Sequence, residues 1–236
     1  MNQYFMKTKE GLWKLSPSGL YGFEECRACF WLEHHHARAP GLPFVLNMAM
    51  DSVLKSRYDA YREKEELPPE IRALGKEGLT LFPDIEVLNK WRGSTAHLKV
   101  VNEKVGYEIG GKLDEVLVEK NGRLIPTDFK SSGYAPKEDK QKYYVLQLTA
   151  YAFMFYKHEL NPSDRAILLH YFIKDARNPS LEVEFISHID PVRLDLLGFE
   201  KKLEDIVALL NGPYPGDDLA CEKCLYYVGR NEKSKK

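Results

Sequence analysis

From Leu113 to Glu119, leucine and valine alternate with charged residues. Leu124 to Phe129 is again apolar-rich, and Asn121-Gly122 lies between the two runs. Period-two alternation marks a strand and Asn-Gly marks a hairpin turn, so strands are expected over 112–119 and 124–131. Further strands are expected over 97–109, 166–173 and 181–187. The last alternates Leu181, Val183 and Phe185 with Glu182 and Glu184, which predicts one exposed face. Helical spacing takes over elsewhere. Leu146, Ala150, Phe153 and Met154 predict a helix from Tyr143 to Tyr156, and Met50, Val53, Leu54 and Tyr58 form the inner side of one that ends near Glu66. A last helix is expected from about Pro191 to Leu210, with Leu194, Leu197, Leu203, Ile206 and Leu210 inward. Asn211-Gly212-Pro213 stops it. Near the start, Ser16 and Pro17 read as the cap and first turn of a helix carrying Cys26 and Cys29.

The hairpin carries candidate chemistry. In a strand, Asp128 and Lys130 share one face and Phe129 takes the other. A two-residue loop at Asn121-Gly122 would turn Asp114 away from them. A three-residue loop from Lys120 to Gly122 sets Asp114 directly opposite Asp128, with Val116, Val118 and Leu124 on the same face, so the odd loop or an equivalent bulge is predicted. Facing carboxylates in a partly buried cleft repel and raise each other's pKa unless a cation lies between them. Mg²⁺ and Mn²⁺ favour such oxygen ligands, and a bound ion activates water for attack on a phosphodiester. Lys130 would orient or help deprotonate that water, or stabilise the developing charge. On the following helix, Gln147 and Tyr151 stand one turn apart. They could reach a phosphate backbone or a metal-bound water, or form a satisfied pair at the edge of the core.

Gly111-Lys112-Leu113-Asp114, then Asp128-Phe129-Lys130, then Gln147-Leu148-Thr149-Ala150-Tyr151 resembles the motif series of the PD-(D/E)XK nuclease superfamily. The similarity is to the RecB-type branch, which includes CRISPR-associated nucleases that trim new spacers, and it covers roughly Ser16 to Cys224. It implies an α/β, restriction-endonuclease-like core with a mixed central sheet flanked by helices, and Mg²⁺- or Mn²⁺-dependent DNA hydrolysis. By the same resemblance Asp114 and Asp128 are metal ligands, Lys130 is the motif lysine, and Gln147 and Tyr151 are the helical motif. The branch usually places a His on the first core helix as a further ligand. Here the stretch is Asn47-Met48-Ala49-Met50-Asp51, so Asp51 would substitute; its other reading is an acidic residue favoured by the helix N-terminus.

Four cysteines form a second constellation, Cys26-Arg27-Ala28-Cys29 and Cys221-Glu222-Lys223-Cys224. Each Cys-x-x-Cys can supply two thiolates, so two pairs complete one tetrahedral metal site joining the N- and C-terminal segments. Similar proteins often carry a 4Fe–4S cluster there, commonly with one cysteine before the core and three after. The two-plus-two split leaves 4Fe–4S and Zn²⁺ both open, and the resemblance leans to iron–sulfur. Phe30, Trp31, Tyr226 and Tyr227 would shield it. Two disulfides or free core thiols are the weaker alternative; Met1 to Leu15 has no apolar run of the kind that directs secretion, and a cytoplasmic protein without membrane association is expected.

At 236 residues and 44% hydrophobic, the chain can bury one sizeable core. The expected layout is a single nuclease domain over 1–236. Cysteine-bearing segments lie at 16–38 and 212–228, the core at 44–66 and 97–173, an insertion at 67–96 with a helix around Ile85 to Trp91, and a strand and helix at 181–210. The triple histidine His34-His35-His36 reads as solvent-facing. Lys+Arg 34 against Asp+Glu 35 leaves a net charge of −1, so no global basic field advertises nucleic acid. Local lysines at 99, 104, 137, 140 and 142 could follow phosphates, although a solvated face is the commoner explanation. The expected substrate is single- or double-stranded DNA, with repair or CRISPR-adaptation proteins as partners. A nucleic-acid-binding or scaffold protein that keeps the fold without turnover is the competing reading; a thiol oxidoreductase fits distant cysteine pairs poorly.

Overall fold

A computed structural model describes residues 6–36, 45–175, 177 and 182–226. At its centre are strands β5 (Glu115–Val118) and β6 (Leu124–Ser132). They pair antiparallel with Glu115 opposite Thr127 and Val118 opposite Leu124. The turn is the odd one: Glu119 N–H donates to Arg123 C=O, leaving Lys120 to Gly122 as the loop. Gly122 has φ +79°, the left-handed backbone that glycine adopts at least cost. One residue beyond the first pair, the same register sets Asp114 opposite Asp128.

Before the hairpin come β1 (Trp13–Leu15), α1 (Tyr21–Glu25), α2 (Arg27–His35), α3 (Val45–Arg62), α4 (Pro69–Arg72), β2 (Thr80–Leu81), α5 (Ile85–Gly93), β3 (Lys99–Asn102) and β4 (Tyr107–Gly110); after it come α6 (Val145–Lys157), β7 (Arg165–Ile173), β8 (Phe185–Arg193) and α7 (Leu196–Asn211). A five-stranded sheet runs β2-β5-β6-β7-β8, and a smaller one runs β1-β4-β3. In the larger sheet only β6 and β7 are parallel. Parallel neighbours need a crossover, and α6 supplies it.

Helix α6 is buried continuously from Gln147 to Phe155. It lies between two cores. Met154, Phe155 and Leu148 pack with Leu113, Val116 and Leu168, while Ala150 and Phe153 pack with Ile109, Phe199 and Leu203. A helix covered on both sides is apolar nearly all round, and each buried Leu or Phe contributes roughly 1.5–3 kcal/mol. On the opposite face of the large sheet, Leu54 and Tyr58 of α3 pack on Leu117, Ile125 and Phe129. Helices α6 and α3 therefore cover β6 from opposite faces of the sheet.

Several expectations are corrected. The strand expected over 97–109 is a hairpin: Asn102 Oδ1 accepts from Val105 N–H, and Gly106 at φ +101° turns the chain. The strand expected over 181–187 is β8, shifted towards the C-terminus; Leu181 lies outside the described residues. Pro191 belongs to this edge strand rather than to the last helix, because an edge tolerates the missing N–H. Helix α7 starts later, with Asp195 accepting from Gly198 N–H; Leu203, Ile206 and Leu210 are buried as expected and are joined by Phe199 and Val207, whereas Leu197, off that face in the first turn, is 92% exposed. Val53 is likewise exposed on α3. The helix expected to carry the first cysteines breaks at Cys26, which caps α2. His34 is buried against the Phe30 ring, whereas His35 and His36 are exposed as expected. The insertion adds the edge strand β2 and helix α5 to the core. Among the described residues, no helix is long and apolar enough to cross a membrane.

Candidate active site and cysteine site

The β5–β6 register brings the two motif carboxylates together. Asp114 Oδ2 accepts from Phe129 N–H at 2.9 Å, which ties the residue before β5 to the middle of β6. Asp128 is 2% exposed, and its Oδ2 stands 2.5 Å from Lys130 Nζ, a contact of charge without hydrogen-bond geometry. Lys130 also lies 4.8 Å from the centre of the Tyr144 ring. The three motif side chains form one site.

Burial pushes the Asp128 carboxyl up to about 7; Lys130 pulls it down, and the adjacent Asp114 adds to the rise. Burial works against the charge on Lys130, but the carboxylates of Asp128 and Asp114 outweigh it and hold its pKa above the ordinary value. Near neutral pH the lysine is therefore an ammonium. A carboxyl whose pKa rises on folding binds its proton more tightly in the folded state. Its stability contribution is full below the unfolded value of 3.8 and is lost as pH rises through about 7. The urea midpoint of metal-free protein should accordingly fall across that window, and Asp128→Asn should flatten the fall.

Helix α6 supplies the supports. Gln147 Nε2 donates to Asp128 Oδ1 at 2.6 Å and contacts Tyr151 Oη at 3.3 Å; Tyr151 Oη donates to Lys112 C=O at 2.7 Å. Both residues are buried, so their polar ends act on the carboxylate and its flanking strand from inside. Gly111 makes this approach feasible: a Cβ there would stand 2.6 Å from Pro17 Cγ and 2.9 Å from Tyr151 Cε1. Gln147→Ala would strand Asp128 Oδ1 in the interior. The expected loss is about 1–3 kcal/mol of unfolding free energy, read from urea denaturation.

Asp51 reaches the pair through a residue the motif reading passed over. Lys55, one turn on along α3, places Nζ 2.7 Å from Asp51 Oδ2 and 3.0 Å from Asp114 Oδ1. Its signal in the sequence is the i,i+4 spacing from Asp51. Asp51, Asp114 and Asp128 do not gather as a three-ligand cluster among the described residues. Two other groups were also passed over. Glu115, beside Asp114, is fully buried against Arg62 and Arg92, and Arg92 Nε donates to Asp114 C=O at 2.8 Å. His170 pairs with Lys130 across β6 and β7, and its Nε2 is 3.4 Å from Asp190 Oδ2. The donor chemistry of the centre fits a hard cation: two carboxylates, one buried with an oxygen that lacks a hydrogen-bond donor.

The second constellation also closes in space. Cys26 and Cys29 flank the first turn of α2, and the other pair follows α7, whose end is pinned by Trp13 Nε1 to Asn211 Oδ1 and Trp31 Nε1 to Gly212 C=O. All four sulfurs lie within 4.8 Å of one another, and the thiols form no disulfide. Cys26 and Cys224 are buried. Phe30 and Trp31 lie on the same helix as expected; Tyr227 is outside the described residues.

A family model described as the PD-(D/E)XK nuclease superfamily matches residues 14–228. No curated protein matches the sequence. Among solved structures, the crystal structure of SSO0001 is similar over 94% of this chain and 86% of that one, at 18% identity and a TM-score of 0.45, too loose a likeness to carry an argument. The family match spans nearly the whole chain and encloses both the carboxylate pair and the four cysteines. This chain belongs to the PD-(D/E)XK nuclease superfamily, whose members are generally hydrolytic nucleases that use Mg²⁺ or Mn²⁺.

Proposed function

We propose that the protein is a Mg²⁺- or Mn²⁺-dependent deoxyribonuclease of the RecB-type branch, acting in DNA repair, recombination or CRISPR-type DNA processing. The observation that carries this reading is the Asp114–Asp128 pair with the Lys130 ammonium 2.5 Å from Asp128. When bound, the cation would lower the pKa of a water and neutralise charge on the phosphate under attack. Asp114 and Asp128 would hold it. Lys130, kept protonated by its neighbours, would orient the attacking water and stabilise charge on the phosphate, rather than remove a proton. Gln147 would fix the Asp128 carboxylate, and Tyr151 the segment before β5 that carries Asp114. Asp51 would join as a third ligand once Lys55 released it.

The substrate in this reading is single- or double-stranded DNA, with repair or CRISPR-adaptation proteins as partners and the cytoplasm as the location. The Lys55 bridge between Asp51 and Asp114 favours a second reading, a nucleic-acid-binding or scaffold protein with little turnover, because an ammonium there offsets charge that a cation would otherwise offset. Labelled single- and double-stranded DNA, incubated with anaerobically purified protein in Mn²⁺ or EDTA, separates the two. Cleavage that needs the metal supports the nuclease, and its product ladder gives the polarity. DNA binding without cleavage on any substrate would replace it with the second reading.

A further inference from the structure

We propose that the four cysteines hold a single tetrahedral Zn²⁺ ion rather than a 4Fe–4S cluster. The argument is one of size. Cys26 and Cys224 sulfurs are 3.7 Å apart, Cys29 and Cys221 3.7 Å, and Cys29 and Cys224 3.6 Å. Thiolates about 2.3 Å from a tetrahedral zinc stand about 3.8 Å from one another, close to the spacing of these three of the six sulfur pairs. A cubane instead places four irons and four sulfides between the thiolates, each thiolate outside its own iron, and spreads the sulfurs to roughly 6 Å. No pair among the four exceeds 4.8 Å. The space at the centre takes one ion.

Local backbone geometry agrees. Cys29 N–H points at Cys26 Sγ at 3.4 Å, and backbone N–H groups of Cys224 and Lys223 lie against Cys221 Sγ. In each Cys-x-x-Cys the first sulfur thus accepts from the backbone of the second, an arrangement that holds both thiolates of a pair on one side of a small ion. Two such pairs approaching from opposite ends of the chain complete the tetrahedron. Spreading the sulfurs for a cluster would pull α2 from the segment after α7, against Trp31 Nε1 to Gly212 C=O and the Lys223–Glu25 ion pair. Binding releases the thiol protons and links the two termini, so the ion restrains the unfolded chain. This assignment is independent of whether the protein cuts DNA.

The full chain, produced with both iron and zinc in the medium and purified anaerobically, tests it. Zinc, iron and acid-labile sulfide are measured per chain, together with the visible spectrum. Roughly one zinc, no sulfide and a colourless protein are expected. About four irons with matching sulfide and a broad brown absorption would overturn the proposal. One iron without sulfide, or no metal at all, would overturn the assignment to zinc. A Cys29→Ser/Cys224→Ser variant should lose the zinc. Should that variant fail to fold, Co²⁺ exchanged into the wild-type protein gives a second reading. Intense visible bands of tetrahedral cobalt with sulfur-to-cobalt charge transfer are expected, and weak octahedral bands would count against the site.

Discussion

Lys130→Ala is expected to lower metal-dependent DNA cleavage by about a thousandfold or more while leaving the fold and the cysteine-bound metal in place. The size follows from where the ammonium stands. It is held 2.5 Å from Asp128, with its pKa raised by both motif carboxylates, in a site that excludes much of the water. Charge placed there acts at lower dielectric than at a surface, so its loss is felt in the transition state more than in substrate binding. The fold should survive because the Lys130 side chain is 26% exposed and contributes a charge contact rather than core packing. Removing it also leaves Asp128 facing Asp114 without its cation, so in metal-free protein the Asp128 pKa should climb further. Cleavage kinetics, circular dichroism and metal content on the same preparation check each part. Retained cleavage would remove Lys130 from the mechanism.

Glu115→Ala should destabilise the protein by about 3–5 kcal/mol. Glu115 is fully buried. Its carboxylate lies 2.6 Å from Arg62 Nη2 and 3.0 Å from Arg92 Nη2, and Arg92 continues to Asp59 at 2.9 Å. Burial raises the carboxyl above its ordinary value, and the two guanidiniums work against that rise. Deleting the acid leaves two buried guanidiniums to share Asp59, a partly exposed carboxylate, so their desolvation is only partly offset. The consequence should reach the site, since the guanidinium that binds Glu115 also holds the Asp114 carbonyl. A fall in the urea midpoint with an unchanged m-value is the expected result, accompanied by weaker cleavage. Replacing Glu115, Arg62 and Arg92 together by apolar residues of similar volume should recover much of the stability but not the cleavage. An unaltered midpoint in Glu115→Ala would show that the network carries no net weight.

The motif residues were legible because they obey local rules. Asp128 and Lys130 share a strand face by period two, and Gln147 and Tyr151 share a helix stripe by their four-residue spacing. The three-residue loop followed from setting Asp114 opposite Asp128 with Val116, Val118 and Leu124 on the same face, and Gly122 at φ +79° is the turn that permits it. Element ends were less legible. Pro191 looked like a helix start, yet it completes an edge strand because β7 has room for a nine-residue partner. Glu115 read as the polar half of an alternation. It is buried because α3 and α5 both cross that edge of the sheet and bring an arginine each, and no periodicity in 113–119 encodes their arrival.

By itself, the sequence determined the order of strands and helices around the motifs, the register of the central hairpin, and the pairing of cysteines into two chelating units. These depend on neighbours within a few residues, where backbone geometry and side-chain period suffice. Only the tertiary structure decided that Lys55 bridges Asp51 and Asp114, that Gln147 supports Asp128 from inside, and that the two cysteine pairs close to 3.6–3.7 Å. Each of these joins elements 19 to 198 positions apart or fixes a side chain between them. Their distances are set by how two cores pack on the faces of the large sheet and a third between α6 and the smaller sheet, and packing depends on the whole chain at once.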